Sequence, residues 1–399
     1  MHQFSRKLTV GAIFLAGVFL GGCESPGYYS QAITGQLRIL NQREGVDVVL
    51  SAIAAREPNA KDELLQSQLV LSQRLLEFAE RHLDLKAEGR YRTYVAIPRP
   101  YVVSNLFAAP VLSLEPKTWC YPFVGCAPYR GYFNRQSAEA YQRELAREGF
   151  DTYIGGVAAY STLGWFDDPL LSTFLSWPEA ELAQLLFHEL AHSRMWLKGD
   201  VAFNEGFASF VGRQGMAQWL AVEGKQADYS AYVDRRRAWR RLVGLLEVVR
   251  DQLRDVYQGP LARELKLAEK TRLLAAARSC YRANLEKLGA GRYDRLMEEL
   301  DNAYLVSLAT YRQTEPSFAV LFAEAGQRWP AFFSSVDLLK RLPESEREQQ
   351  LLLLSEQHVG YRSDDKNTDD IQCKAFLGHG SGGETTSAEH NYIGRGRDR

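Results

Sequence analysis

The chain has almost no surplus charge. Lys and Arg number 48 and Asp and Glu 49, for a net charge of −1, so the basic footprint of a nucleic-acid binder is missing and nucleic acid is excluded as a partner class. The one basic run, Arg235-Arg236-Arg237 with Arg240 and Arg241, reads as a solvated helix face. Long apolar runs are scarce as well. The stretch Leu8 to Leu20 holds thirteen residues, too few to cross a bilayer comfortably as a helix, and with Arg6-Lys7 ahead of it the pattern is that of an export signal. No repeat of 20 to 50 residues is visible, which excludes solenoids and propellers. Cysteine is sparse at five residues. After export the short pair Cys120 and Cys126 reads as a loop-closing disulfide, and a zinc ribbon is disfavoured because no second Cys or His pair stands at ribbon spacing. What the chain does have is 399 residues of which 46% are hydrophobic, enough for a sizeable core and for two or three subdomains.

Histidine is also rare, at seven residues, and two of the seven fall four apart in Phe187-His188-Glu189-Leu190-Ala191-His192. On a helix, positions i and i+4 share a face, so His188 and His192 can direct an imidazole nitrogen at the same metal ion. Glu189, between them, cannot easily ligate from the same turn, but it can take a proton from a water activated at the metal. The apolar flanks Leu185, Leu186, Phe187, Leu190 and Ala191 make the helix a buried one. Three protein ligands is the usual catalytic zinc arrangement, and Glu205 in Asn204-Glu205-Gly206-Phe207-Ala208 is the leading third. It opens a second helical pattern in which Glu205, Ala208, Ser209 and Gly212 share a face of small residues that permits close approach. The cofactor expected is one Zn2+ per chain, and the chemistry is that of a metal-assisted hydrolase.

In order along the chain, three helices are predicted from Tyr28 to about Leu85, with Glu57-Pro58-Asn59 breaking the second from the third. Tyr91 to Leu114 is β-branched and aromatic but interrupted by Pro98, Pro100 and Pro110, which predicts edge strands or extended loops. The region to about Phe133 is loop-rich. Glu139 to Glu148 is a short helix stopped by Gly149, and Tyr153 to Thr162 a strand. Ser176-Trp177-Pro178-Glu179 fits a capping box that starts the His188 helix, with Gly199 as its stop. Helical patterns then run through Tyr232 to Tyr257, Leu261 to Leu288 and Tyr293 to Tyr311. The division expected is 1–22 signal, 23–90 N-terminal helices, 91–222 catalytic core, 223–345 C-terminal helices, and a disordered polar tail over 361–399.

His-Glu-x-x-His followed by Asn-Glu-Gly-Phe-Ala resembles the active-site signature of the gluzincin zinc metallopeptidases, and Phe203 to Ala208 resembles the third-ligand helix of aminopeptidase N relatives. Leu20-Gly21-Gly22-Cys23 is similar to a bacterial lipobox. These segments, with Trp119-Cys120 to Cys126-Ala-Pro-Tyr-Arg-Gly-Tyr and Ala159-Tyr-Ser-Thr-Leu-Gly-Trp-Phe-Asp-Asp-Pro, together resemble a family of exported bacterial proteins described as putative aminopeptidases. The resemblance implies an α+β fold, predominantly α, with a zincin-like core, a small antiparallel or mixed sheet and flanking helices. It implies peptide or protein substrates, and a lipid on Cys23 that anchors the chain to a membrane, the outer membrane facing the periplasm because Glu24 rather than Asp follows. A strand beside the first metal helix, here Val157 to Ser161 with Ala159 and Tyr160, would pair with extended substrate. A phenol would stabilise the oxyanion, with Tyr304 and Tyr311 best placed and Tyr160 another choice.

Two departures from the pattern matter. Only twelve residues separate His192 from Glu205, fewer than is usual in thermolysin or aminopeptidase N relatives, which leaves Asp200 as the alternative third ligand. Gly156 to Tyr160 lacks the carboxylate with which aminopeptidase N relatives hold the substrate ammonium, and Asp167 and Asp168 are the only nearby replacements. The alternatives to an aminopeptidase are a metalloendopeptidase and a non-catalytic lipoprotein whose zinc is a structural staple in a binding platform.

Overall fold

The computed structural model describes residues 26–121, 125–159, 167–308, 315–357 and 373. Three helices come first: α1 (Pro26–Asn41), α2 (Val46–Ala54) and α3 (Ala60–His82). Asn59 starts the third by accepting from the backbone N–H groups of Lys61 and Asp62 while Asp62 reaches back, a reciprocal capping box. Strands β1 (Glu44–Gly45), β2 (Thr93–Val95) and β8 (Leu170–Leu171) form one small mixed sheet in the order β1-β2-β8. A second, antiparallel sheet has the order β6-β3-β7, from β3 (Val103–Pro110), β6 (Arg130–Tyr132) and β7 (Phe150–Val157). Between them in sequence, β4 (Trp119–Tyr121) and β5 (Gly125–Ala127) make a hairpin closed by the Cys120–Cys126 disulfide.

β3 is thus the central strand, not an edge. Pro98 and Pro100 precede it and Pro110 ends it, so no proline removes a donor from its interior. Its inward residues Leu106 and Ala108 are fully buried against Ala138 and Leu145 of α4 (Arg135–Arg147).

The remaining chain is helical: α5 (Ser172–Leu175), α6 (Glu179–Arg194), α7 (Val201–Val222), α8 (Gln226–Gln258), α9 (Arg263–Ala283), α10 (Asp294–Glu298), α11 (Asn302–Leu308), α12 (Glu315–Glu324), α13 (Trp329–Lys340) and α14 (Glu344–Gln357). Helices hold 65% of the described residues, which makes the class α+β with α predominant. The main core gathers α3, α6, α7, α12 and α13 around Phe187, Phe203, Phe207, Phe318 and Phe332, each at most 1% exposed, and each such ring contributes roughly 1.5–3 kcal/mol of burial. A separate core joins the distal half of α8 to α9, α10 and α11, a helical arm.

Several local expectations are corrected. α6 has Pro178 as N-cap, whose ring offers no acceptor, and the Glu179 carboxylate instead takes Trp219 Nε1 at 2.7 Å and Lys225 Nζ at 2.6 Å. The helix also stops at Arg194, where Met195 turns extended, and Gly199 (φ +90) instead shapes the turn into α7. The arginine run does not simply face solvent, since Arg235 pairs with Glu181 of α6 and Arg236 with Glu315 of α12. Tyr293 to Tyr311 is two short helices over its described residues. Of the expected tail only Cys373 lies within the described residues, and it is disulfide-bonded to Cys280 of α9, a pairing the sequence did not reveal.

Candidate metal centre

α6 and α7 make the most extensive helix–helix contact among the described residues, and small side chains let them come close. A Cβ on Gly212 would stand 2.6 Å from the Gln184 carbonyl and 3.1 Å from His188 Cβ, so only glycine lets the two backbones approach there. Glu205, two turns earlier on α7, is brought to His188 and His192 by the same approach. Glu205 Oε2 lies 3.4 Å from His188 Nε2, Glu205 Oε1 lies 3.4 Å from His192 Nε2, and the two Nε2 atoms are 3.1 Å apart. These three residues form the metal-capable cluster found among the described residues. His192 is 5% exposed at its side chain, His188 19% and Glu205 35%, so the cluster is closed behind His192 and open beside Glu205.

The separations can be tested against a metal. Tetrahedral zinc with bonds of about 2.0–2.1 Å sets its ligand atoms about 3.3–3.4 Å apart; the two ring nitrogens stand 3.1 Å apart, close to that spacing, and each has a different Glu205 oxygen at 3.4 Å. Burial alone would raise the Glu205 carboxyl, but hydrogen bonds and charge from His188 and His192 outweigh it and hold the group far below the ordinary carboxylate range. The donor set therefore fits a divalent cation.

The short link between the helices is fastened by Asn204, fully buried, which accepts from Leu197 N at 2.8 Å and donates to Leu197 O at 2.7 Å. Asp200, the alternative ligand, is occupied elsewhere. Its Oδ1 caps α7 through Phe203 N at 2.9 Å, and its Oδ2 takes Arg347 Nε and Nη2 at 2.9 and 2.7 Å. Twelve residues suffice because one side chain clamps the loop and another caps the helix.

Other expected site residues are dispersed. Tyr304 is 4% exposed in the helical arm, edge-on to Tyr153 at 4.7 Å, where burial first and then Tyr153 and Tyr293 push its phenol far upward. Among the described residues its surroundings are those of the arm core, not of the three-residue cluster. Tyr160, Tyr311 and Cys23 lie outside the described residues. Ala159 packs on the main core, beyond the end of β7, and the Ala158 carbonyl is taken by Thr173 Oγ1 at 2.5 Å, so ladder pairing stops at Val157. Asp167 is exposed and its carboxylate lies directly over Gly89. Asp168 is 5% exposed, and its carbonyl accepts Tyr91 N at 2.7 Å.

Two phenols that the sequence did not single out are coupled by charge to candidate site residues. Tyr91 holds a left-handed backbone (φ 60), and its buried phenol is pushed well above the ordinary range by burial first, then by the charges of Glu189 and Asp168. Tyr129, between β5 and β6, is raised by burial and then by Glu205. No spacing rule marks either one, since each arrives from a different element.

The family described as "Putative aminopeptidase" matches residues 27–351. The chain belongs to that family. Membership supports peptidase activity on peptide or protein substrates, and the match spans every helix and strand just described except the last residues of α14 and the first of α1. No curated protein and no solved structure matches the chain.

Proposed function

We propose that this family member is a zinc peptidase of the gluzincin type, acting as an aminopeptidase. The observation that carries the reading is the convergence of His188 Nε2, His192 Nε2 and the Glu205 carboxylate into one cluster able to hold a metal ion. A zinc ion held by these three residues would supply Lewis acidity, polarising the scissile carbonyl and making water a nucleophile near neutral pH. Glu189 is the general base: it accepts a proton as water adds to the carbonyl carbon, and returns it to the amine as the C–N bond breaks. A structural staple has no use for a base, which is why the binding-platform reading is set aside. Of the two aspartates we assign the substrate ammonium to Asp168, whose charge acts on the Tyr91 phenol together with that of Glu189. The edge position of β7 in its sheet among the described residues favours one second reading, an endopeptidase that takes extended peptide along the outer part of that strand.

The test compares a peptide with its N-acetylated form. An aminopeptidase cleaves the first and spares the second, and Asp168→Asn weakens the distinction; equal cleavage of both at internal bonds assigns the endopeptidase. The reading extends to export and lipidation at Cys23, which stands just ahead of α1. Loss of membrane association in Cys23→Ser supports the anchor, and unchanged fractionation removes it.

A further inference from the structure

α1 buries one side and leaves the other bare. On the inner side Gln31 uses both amide atoms on the backbone of β6 and its end, accepting from Phe133 N at 2.9 Å and donating to the Gly131 carbonyl at 3.5 Å. The Phe133 ring lies against Gly35, where a Cβ would have no room, and Ile39 is 2% exposed in the main core. The buried Arg130 guanidinium of β6 lies over the Tyr28 ring at 4.2 Å and over Tyr141 of α4 at 4.6 Å. α1 is thus fixed to the sheet.

The outer side follows the same helical spacing. Ser30, Ile33, Thr34, Leu37, Arg38 and Asn41 are all exposed, and the apolar pair Ile33 and Leu37 keeps 49% and 52% of its surface open to water. Four residues apart, the two share one face. None of the 16 residues of α1 is acidic, and Arg38 in the last turn is its one charged side chain. An apolar face flanked by a basic residue and free of carboxylates suits a helix that lies in the surface of a phospholipid bilayer.

Covalent geometry says where that bilayer would be. Glu24 and Ser25 alone separate Cys23 from Pro26, and three steps of at most about 3.6 Å keep the start of α1 within roughly 11 Å of Cys23. With a lipid on Cys23, so short a link cannot hold the helix clear of the headgroup layer.

We infer that α1 is a membrane-docking element: its Ile33–Leu37 face lies in the headgroup layer of the bilayer that the Cys23 lipid enters, with Arg38 among anionic headgroups. This rests on the lipidation reading above and adds which surface of the protein meets the membrane. Two apolar side chains are too few to hold a protein on a bilayer alone, so the lipid supplies attachment and the face, kept close by the tether, sets orientation. Because α1 is fixed to the sheet, the sheet takes that orientation too.

The experiment uses the full lipidated chain in vesicles of phosphatidylethanolamine and phosphatidylglycerol, with an environment-sensitive fluorophore on Thr34→Cys, between the two apolar residues. A second protein carries it on Leu265→Cys, an exposed position of α9. The label at 34 should emit to the blue and be quenched by brominated lipid, and the label at 265 should do neither. Adding Ile33→Asp and Leu37→Asp should abolish the quenching at 34 while the lipid on Cys23 is retained. A label at 34 as water-exposed as that at 265 overturns the docking face. So does a label at 34 that is shielded without vesicles in proportion to protein concentration, which gives the face to a second copy of the chain. If mass spectrometry finds no lipid on Cys23, the lipidation reading fails separately, and the same label on the unlipidated chain decides the face: quenching in the vesicles upholds it, and none overturns it.

Discussion

Two polar clusters in this protein are built on opposite plans. His188, His192 and Glu205 bring two ring nitrogens and a carboxylate together, with separations of 3.1–3.4 Å. The cluster where the sheet meets the arm matches donor to acceptor throughout. Asp151 accepts Lys270 Nζ and Asn302 N, Lys270 also donates to the Val111 carbonyl, and Asn302 donates to the carbonyls of Pro110, Val111 and Ser113 while accepting Tyr257 OH at 2.9 Å. A matched network needs nothing from outside and serves as structural glue. Two imidazoles and a carboxylate drawn to one point make a ligand set that a cation can take up. The difference separates a site from a joint without reference to any relative.

Four substitutions sharpen that contrast. Glu189→Gln removes the base and not a ligand, so hydrolysis should fall by about 10²–10⁴-fold with bound zinc still near one per chain; metal lost together with activity would move Glu189 into the ligand set. Glu205→Ala removes one of the convergent acceptors, and metal affinity should drop by more than the roughly 10–100-fold seen when an outer partner is lost, as measured by chelator competition. Asp200→Ala should leave metal content alone and instead cost about 3–5 kcal/mol of stability, because Arg347 stays buried without its partner. Metal loss without destabilisation would reverse the roles of Asp200 and Glu205.

The smallest effect belongs to the joint. Burial, with Asp151 adding to it, pushes Asp301 up to about 7 from its ordinary 3.8, against the pull of Lys270 and of N–H groups such as that of Tyr304. An acid with a raised folded pKa binds its proton more tightly when folded, so its contribution to stability is full below about pH 4 and is lost as pH rises toward 7, by roughly 2–4 kcal/mol. Asp301→Asn keeps an oxygen for the Tyr304 N–H and should flatten this slope in urea midpoints between pH 5 and 8. An unchanged slope would place the titrating group elsewhere.

The chain's order of elements was largely legible from period and punctuation: three N-terminal helices, the sheet region, and long helices after His188 all stand near where apolar spacing put them. The candidate ligands were legible for the same reason, since a helix converts a four-residue spacing into a shared face and small residues at Ala208 and Gly212 announce a close neighbour. Missed positions were those where a distant partner outbid the local signal. Glu179 fits a capping box but is held by Trp219 and Lys225, and the strand through Val157 is cut short by Thr173.

Sequence alone determined the α-rich class, the two histidines, the carboxylate between them and the third acceptor one helix later, because each follows from local geometry that tertiary packing had only to accept. Tertiary structure decided that Asp200 is a cap and ion-pair partner, that Tyr304 is buried in the arm, and that Glu179 is held by Trp219 and Lys225. Those assignments depend on which surfaces meet across gaps of tens to hundreds of residues, and a single sequence carries no spacing that encodes such meetings.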